Sequence, residues 1–475
     1  MVSLLKKIWS SWGKVVSVTV LLVAIMLLTW QLALPETGVP VSDLKPLTLN
    51  GYHRLIIFAP HCDDETLGTA GLILAAERAG IAVRVVIATN GDGYLFATMQ
   101  DFRKIYPRPK DYIRLGELRQ QESLAALGVL GVKPDQVDFL GYPDRGTPAL
   151  WNDYWAANRP YRSPYSGDTK SPYLNTYNPN SVYTGEDYLA DVSSILKNFS
   201  PDLIVYPHPD DVHPDHWGLN AFVRLAINLA THSDLTFHPA EYTYLIHRPD
   251  FPDIKGVNPL ASLTPPIALY ALNQDWVRLD LTPADTTLKG QAVQKYRSQL
   301  PLLRGLMESF VRANEVFAPV KDVSLATLAQ GQPFKPSTWL DGSGKTIQPV
   351  QPDPTGDFVT RSAVPSSDLV AIYAVRDSNN NIMLCAQARE NTAPEFIYTL
   401  RLKALSAKGI IATMARTGAA RFGWQIAHRV GPYACASVSL AKLGDPRAVF
   451  VSANVVGGGR IIDEVAWQMV DIKEP

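Results

Sequence analysis

The chain has 475 residues, 46% of them hydrophobic and 19% charged, with a formal net charge of -1. That length accommodates two or three domains, the composition is that of a globular protein, and the balanced charge excludes a broad basic field for nucleic acid. Three cysteines, Cys62, Cys385 and Cys435, are too few for a disulfide scaffold or a thiolate zinc site. Cys385 and Cys435 either pair outside the cytoplasm or sit as separate buried strand residues.

Lys6, Lys7 and Lys14 precede an uncharged run from Val15 to Leu34, about the length that spans a bilayer. The positive flank predicts a single-pass protein of the cell membrane, with a cytoplasmic N-terminus and an extracytoplasmic remainder. Residues 1–34 are then stub and anchor, and 35–50 a linker. A cleaved signal peptide is the alternative, disfavoured by the length of the run and the missing small-x-small site. Leu34-Pro35-Glu36-Thr37-Gly38 matches the pentapeptide cut by sortases but stands at the wrong end of the chain.

From Gly51 short apolar runs alternate with helical periodicity. Strands are expected at 54–59, 82–88, 137–140, 203–206 and 241–246, and helices at 65–79, 112–128, 185–198 and 217–231. This alternation predicts a mostly parallel α/β sheet with helices on both faces, whose ligands bind beyond the carboxyl ends of the strands. Polar loops follow four of the strands. They are Pro60–Glu65, Thr89–Gly93, Gly141–Gly146 and His208–His216. No G-x-G-x-x-G follows the first strand, which argues against a dinucleotide cofactor.

Residues 150–188 are rich in Tyr, Trp, Pro and Asn, and either line a sugar-binding groove or pack on themselves. Thr282-Pro283-Ala284-Asp285 opens a late helix expected to reach Gln299, with a further helical stretch to Asn314. Residues 318–365 have linker composition. From 366 to 475 short alternating strands (368–375, 381–388, 397–403, 433–439, 448–453) predict an accessory β-sandwich-like module.

The chemistry concentrates in two His/Asp clusters, Pro60-His61-Cys62-Asp63-Asp64-Glu65 and His208-Pro209-Asp210-Asp211-Val212-His213-Pro214-Asp215-His216. Imidazole and carboxylate donors at two strand exits suit a divalent metal held by His61, Asp64 and one histidine of the second cluster. Asp and Glu at a helix start can also be mere caps, but two such clusters are hard to explain as surface. Three ligands and an open position would activate water, with Asp63 as general base and a nearby histidine stabilising the oxyanion. No nucleophilic Ser is evident, and Cys62 should point away from the corner. Tyr142, Asp144 and Arg145 stand on the rim as candidate substrate contacts.

These paired motifs resemble those of the PIG-L (LmbE-like) family of zinc-dependent N-acetylglucosamine deacetylases. Cys62 stands where Pro is common in that family. The resemblance spans roughly residues 51–310 and includes Arg119-Gln120-Gln121-Glu122 and Tyr296-Arg297-Ser298-Gln299. It implies a Rossmann-like catalytic domain over 51–317. It places zinc, or another divalent ion such as Fe2+, on His61, Asp64 and His216. Asp63 falls on the general base, His213 on the oxyanion-stabilising histidine, and Asp215 on the residue that orients it. The implied substrate is an amino-sugar-containing glycan or glycolipid at the cell surface. An amidase for another acylated amine and a non-catalytic glycan-binding protein are the competing readings. His208, Asp210 and Asp211 receive no fixed role, and His53, His232, His238, His247 and His428 are taken as structural or surface residues.

Overall fold

A computed structural model describes residues 39–472 except 254, 273–274, 333–334, 358–363, 407–408 and 419–424. Eight strands form the first sheet: β1 (Lys45–Pro46), β2 (Arg54–Ala59), β3 (Ala82–Thr89), β4 (Val137–Tyr142), β5 (Leu203–Pro207), β6 (Ala240–Tyr244), β7 (Val277–Asp280) and β8 (Asn314–Pro319). Their order is β1-β7-β8-β6-β5-β2-β3-β4. The five strands from β6 to β4 pair in parallel, and β8 runs antiparallel to both β6 and β7. Consecutive residues of β2 (Leu55, Ile56, Ile57, Phe58) are all fully buried, so the sheet is covered on both faces.

The connecting helices are α1 (Asp64–Ala79), α2 (Leu95–Phe102), α3 (Pro109–Val129), α4 (Thr147–Asn152), α5 (Gly185–Phe199), α6 (Pro214–Ser233), α7 (Ile267–Tyr270), α8 (Pro283–Val293) and α9 (Leu300–Glu308). Helix α1 ends at Gly80 in the left-handed region, and Thr282 caps α8 by accepting from the Asp285 N–H. Three strands of this sheet fall outside the sequence expectation. β1 lies in the stretch expected as a linker, β7 precedes the late helix, and β8 occupies 314–319, between the expected helix end at Asn314 and the expected linker from 318.

The expected membrane anchor is corrected. Among the described residues no helix is long and apolar enough to cross a membrane. Helix α3, the longest at 21 residues, carries Lys110, Asp111, Arg114, Glu117, Arg119 and Glu122, charges that a bilayer core would exclude. The fold therefore stands as mixed α/β with C-terminal β-sheets and, among the described residues, no spanning helix, and a single-pass membrane location is not supported. The run 15–34 lies outside the described residues.

The C-terminal part holds two further sheets. One contains β10 (Gln351–Pro352), β11 (Leu369–Arg376), β12 (Asn381–Ala388), β17 (Tyr433–Ser439) and β16 (His428–Val430), with β9 (Ala326–Thr327) beside β11. The other runs β15 (Gln425–Ile426), β14 (Gly409–Arg416), β13 (Ile397–Ser406), β18 (Ala448–Gly457), β19 (Arg460–Asp471). Their inner faces share an apolar core that includes Ile372, Leu384, Leu400 and Val451. Cys385 and Cys435 are register partners on β12 and β17 and form a disulfide. The stretch 318–365, linker-like in composition, places Trp339 and Ile347 in a buried cluster with Tyr373 and Tyr433.

The α/β part and the β part share one core. Trp151 is fully buried, with its ring 5.1 Å from Phe222 of α6, 5.1 Å from Phe450 of β18 and 5.8 Å from Trp467 of β19. Lys403 of β13 places its ammonium 4.1 Å from the rings of both Trp151 and Trp155 and donates to the Trp151 carbonyl. The aromatic stretch is thus mainly packing: Trp151, Tyr173, Tyr183 and Tyr188 are buried.

Candidate active site

The chain turns sharply between β2 and α1, and Asp63 takes up that turn with φ 149°, a conformation that strains an L-residue. Its N–H donates to Glu65 Oε2 at 3.0 Å. Glu65, fully buried, also accepts from the Tyr296 hydroxyl at 2.7 Å and from Ser123. The corner is therefore held by residues of α3 and of the turn before α9. The two motif segments on those elements are joined directly as well: Glu122 accepts from Ser298 N (2.8 Å) and Oγ (2.6 Å).

Asp64 Oδ2 receives the His61 N–H at 3.0 Å and lies 3.0 Å from His61 Nδ1 and 3.1 Å from His216 Nε2. The far nitrogen of His216, Nδ1, lies 2.9 Å from Asp211 Oδ2. Asp211 is itself fixed by the N–H groups of Ile246 and His247, 3.0 Å each, and by His213 N at 3.0 Å. Burial pulls His216 down, yet Asp211 and Asp64 outweigh it and raise its pKa to about 9. This carboxylate–imidazole–carboxylate array is how proteins orient a histidine ligand.

The donors fit a metal ion. One ligand atom each from His61, Asp64, His216 and His247 lies within 4.8 Å of all the others. Asp64 Oδ1 is buried without a hydrogen-bond partner. A buried polar atom left this way implies a partner of another kind. Two imidazoles and a carboxylate, with a third imidazole at hand, suit zinc or a similar divalent ion.

Around this cluster lies a cavity of about 160 Å³ whose wall includes Asp63, Tyr94, Arg119, Asp144, Arg145 and His213. Leu67, Leu303, Leu306 and Met307 make its apolar side. Burial raises the Asp63 pKa to about 7, against the lowering influence of Arg119. His213 accepts the Asp215 N–H on Nδ1 at 3.3 Å, so the neutral ring carries its proton on Nε2. Burial and the neighbouring histidines hold it well below the ordinary histidine range.

Two expected roles change. Tyr142 is buried, and its hydroxyl donates to Asp191 Oδ2 at 2.8 Å, so it does not reach the cavity. Asp215 meets His213 through its N–H, whereas its carboxylate lies 3.2 Å from His61 Nε2 and accepts from Arg145 N (2.6 Å) and Thr147 N (3.1 Å). Asp144 stands 3.4 Å from His61 Nε2, and Arg145 lines the rim. Cys62 is fully buried, and its carbonyl accepts from Arg119 at 2.8 Å.

His247, set aside in the sequence, is part of the donor cluster, with Nε2 3.9 Å from Asp64 Oδ1. The usable signal was its position just past an expected strand, the criterion that selected the other loops. Arg119 carried no assigned role. His208 instead stacks on Trp276, ring centroids 5.3 Å apart.

Residues 56–227 match the PIG-L family, GlcNAc-PI de-N-acetylase, so a domain of this kind is present. Two curated relatives from Mycobacterium sp., strains KMS and JLS, are 33% identical over 190 residues, covering 39% of this chain and 54% of theirs. Both are 1D-myo-inositol 2-acetamido-2-deoxy-alpha-D-glucopyranoside deacetylases. The chain thus spans about half the length of these relatives. Among solved structures, GalB, the 4-carboxy-2-hydroxymuconate hydratase of Pseudomonas putida KT2440, aligns at TM-score 0.37 and 15% identity, covering 58% of this chain and 100% of that one. The N,N'-diacetylchitobiose deacetylase of Pyrococcus horikoshii aligns at 0.36 and 16%, covering 57% and 85%.

Proposed function

We propose that this chain is a metal-dependent hydrolase that removes the N-acetyl group from an N-acetylglucosamine-type amino sugar of a glycan or glycolipid. One observation carries the reading: the strained Asp63 and the neutral His213 open into the same cavity as His61, Asp64 and His247. His61, Asp64 and His216 would hold the ion, assigned as Zn2+, with Fe2+ suited to the same donors. When bound, the ion supplies Lewis-acid polarisation of the acetyl carbonyl and eases deprotonation of water.

The residues of the chain do the rest. Asp63 takes the proton of the attacking water and returns it to the sugar nitrogen as the C–N bond breaks. A carboxyl raised to about 7 by burial suits both directions near neutral pH. His213 donates from Nε2 to the carbonyl oxygen as negative charge develops there. Asp144 and Arg145 meet sugar hydroxyls at the rim, and the apolar side formed by Leu67, Leu303 and Met307 takes the acetyl methyl group.

The test is acetate release by the zinc-loaded full chain from GlcNAc, short N-acetylated oligosaccharides and the GlcNAc–inositol substrate of the mycobacterial relatives. Asp63→Asn should retain the metal and lose roughly 10²–10⁴-fold in rate. Release by the variant at the wild-type rate, or none by the wild type on any N-acetylated amino sugar, defeats the reading.

A further inference from the structure

A second group of potential ligands lies in the β part, outside the histidine cluster. Asp353 follows β10, Asp357 lies in the loop after it, and Asp463 is on β19. One carboxylate oxygen from each lies within 4.8 Å of the other two. Asp353 is only 5% exposed and Asp463 2%. Asp353 Oδ2 and Asp357 Oδ1 are buried with no hydrogen-bond partner.

The carboxylates border a cavity of about 100 Å³ whose opposite wall is Asp210, Asp211 and Arg248 of the α/β part. Arg248 approaches Asp357 only to 3.6 Å, while its Nε is engaged by Asp250 at 3.0 Å. Asp463 is held rigidly: Oδ2 accepts the Leu369 N–H at 2.6 Å and Oδ1 the Glu464 N–H at 2.9 Å. Among the described residues, these carboxylates thus share a buried space with one guanidinium, which Asp250 also engages. Burial also pushes Asp463 up to about 7 and Asp357 to about 6, with Arg248 only partly offsetting it at Asp357.

We infer that Asp353, Asp357 and Asp463 form a second metal site that binds Ca2+ between the β part and the loop carrying Asp211. The donors are all hard oxygens, with no imidazole or thiolate, which selects an alkaline-earth ion over zinc. Their spread fits inside a shell of about 2.3–2.6 Å radius, and water in the cavity completes the 6–8 ligands that Ca2+ takes. The ion offsets the carboxylate charge at the seam and steadies the loop whose Asp211 orients His216. The site is independent of the deacetylase reading.

The cavity is also bordered by Trp217 and Trp467, which provide a local reporter. Full-length protein stripped with chelator is titrated with Tb3+, and tryptophan-sensitised luminescence is followed. Ca2+ binding is measured in parallel by equilibrium dialysis. The expected result is one equivalent of Ca2+, a luminescence signal displaced by Ca2+, and retention of both in His61→Ala. Asp353→Asn and Asp463→Asn should each weaken Ca2+ binding at least tenfold. Asp357→Asn, at a part-exposed loop position, serves if either buried variant fails to fold. Absence of Ca2+ binding by folded wild-type protein overturns the proposal, as does unchanged affinity in the Asp357 and Asp353 variants.

Discussion

Arg119 reaches from the middle of α3 to within 3.2 Å of Asp63 Oδ2. It donates at the same time to the carbonyls of Gly91 and Cys62, 2.8 Å each. Gly91, at φ +61°, admits it because a Cβ there would lie 1.8 Å from Arg119 Nη1. The guanidinium is the positive charge that opposes burial at the proposed base. Arg119→Met should raise the Asp63 pKa further. A base works only when deprotonated, so the rising limb of the pH–rate profile should move at least one unit toward alkaline pH. Metal content should not change. An unmoved limb would separate Asp63 from the base role.

His247 supplies a metal-affinity prediction. Burial and His216 lower its pKa to about 4, so it is neutral at working pH and able to donate a lone pair. His247→Ala should weaken zinc binding by roughly 10–100-fold in chelator competition, whether it ligates or supports the ligands. Wild-type affinity in the variant would return His247 to a structural role.

The Glu65 network predicts a stability effect. Tyr296→Phe removes a donor to Glu65 and the partner of Thr66 Oγ1, which lies 2.7 Å from the Tyr296 hydroxyl. Unfolding free energy should fall by about 1–3 kcal/mol in urea denaturation. A change within error would mean that water takes the place of the hydroxyl.

Asp92 predicts a pH dependence of stability. It is 4% exposed, accepts from the Tyr173 hydroxyl at 2.7 Å, and is pushed up to about 7 by burial and Asp144. Unfolded, it titrates near 3.9. Between these values the folded state holds the proton and the unfolded state does not, so this group's contribution falls as pH rises from about 4 to 7. Asp92→Asn removes that loss. Relative to wild type it should gain stability from pH 4 to pH 8, with a ceiling on the order of 3–4 kcal/mol. Parallel denaturation curves at both pH values would refute it.

β2 and β5 and the loops beyond them were legible because each is a short apolar run ending in polar residues, and β3, β4 and β6 because apolar or aromatic residues still dominate around Arg84, Asp138, Glu241 and Thr243. β8 was not, because its interior residues are satisfied by distant partners. Glu315 looks like a surface acid but accepts from Gly71 N (2.8 Å), Leu72 N (2.9 Å) and Lys289 Nζ (2.7 Å). Tyr142 was placed on the rim by position alone, and only packing shows that its ring turns into the core. The separate duties of the Asp215 N–H and carboxylate were equally invisible, since spacing brings residues near one another without saying which atom does the binding.

Trp151 has a consequence for how the protein is made. Its neighbours Phe450 and Trp467 come far later in the chain than Trp151, Trp155 and Phe222, so they are synthesised well after them. The nascent α/β part therefore leaves the ribosome with an aromatic face open to water and to other chains. A chain cut before β18 and β19 leaves that face uncovered and should aggregate on expression, which light scattering of the truncated protein would show.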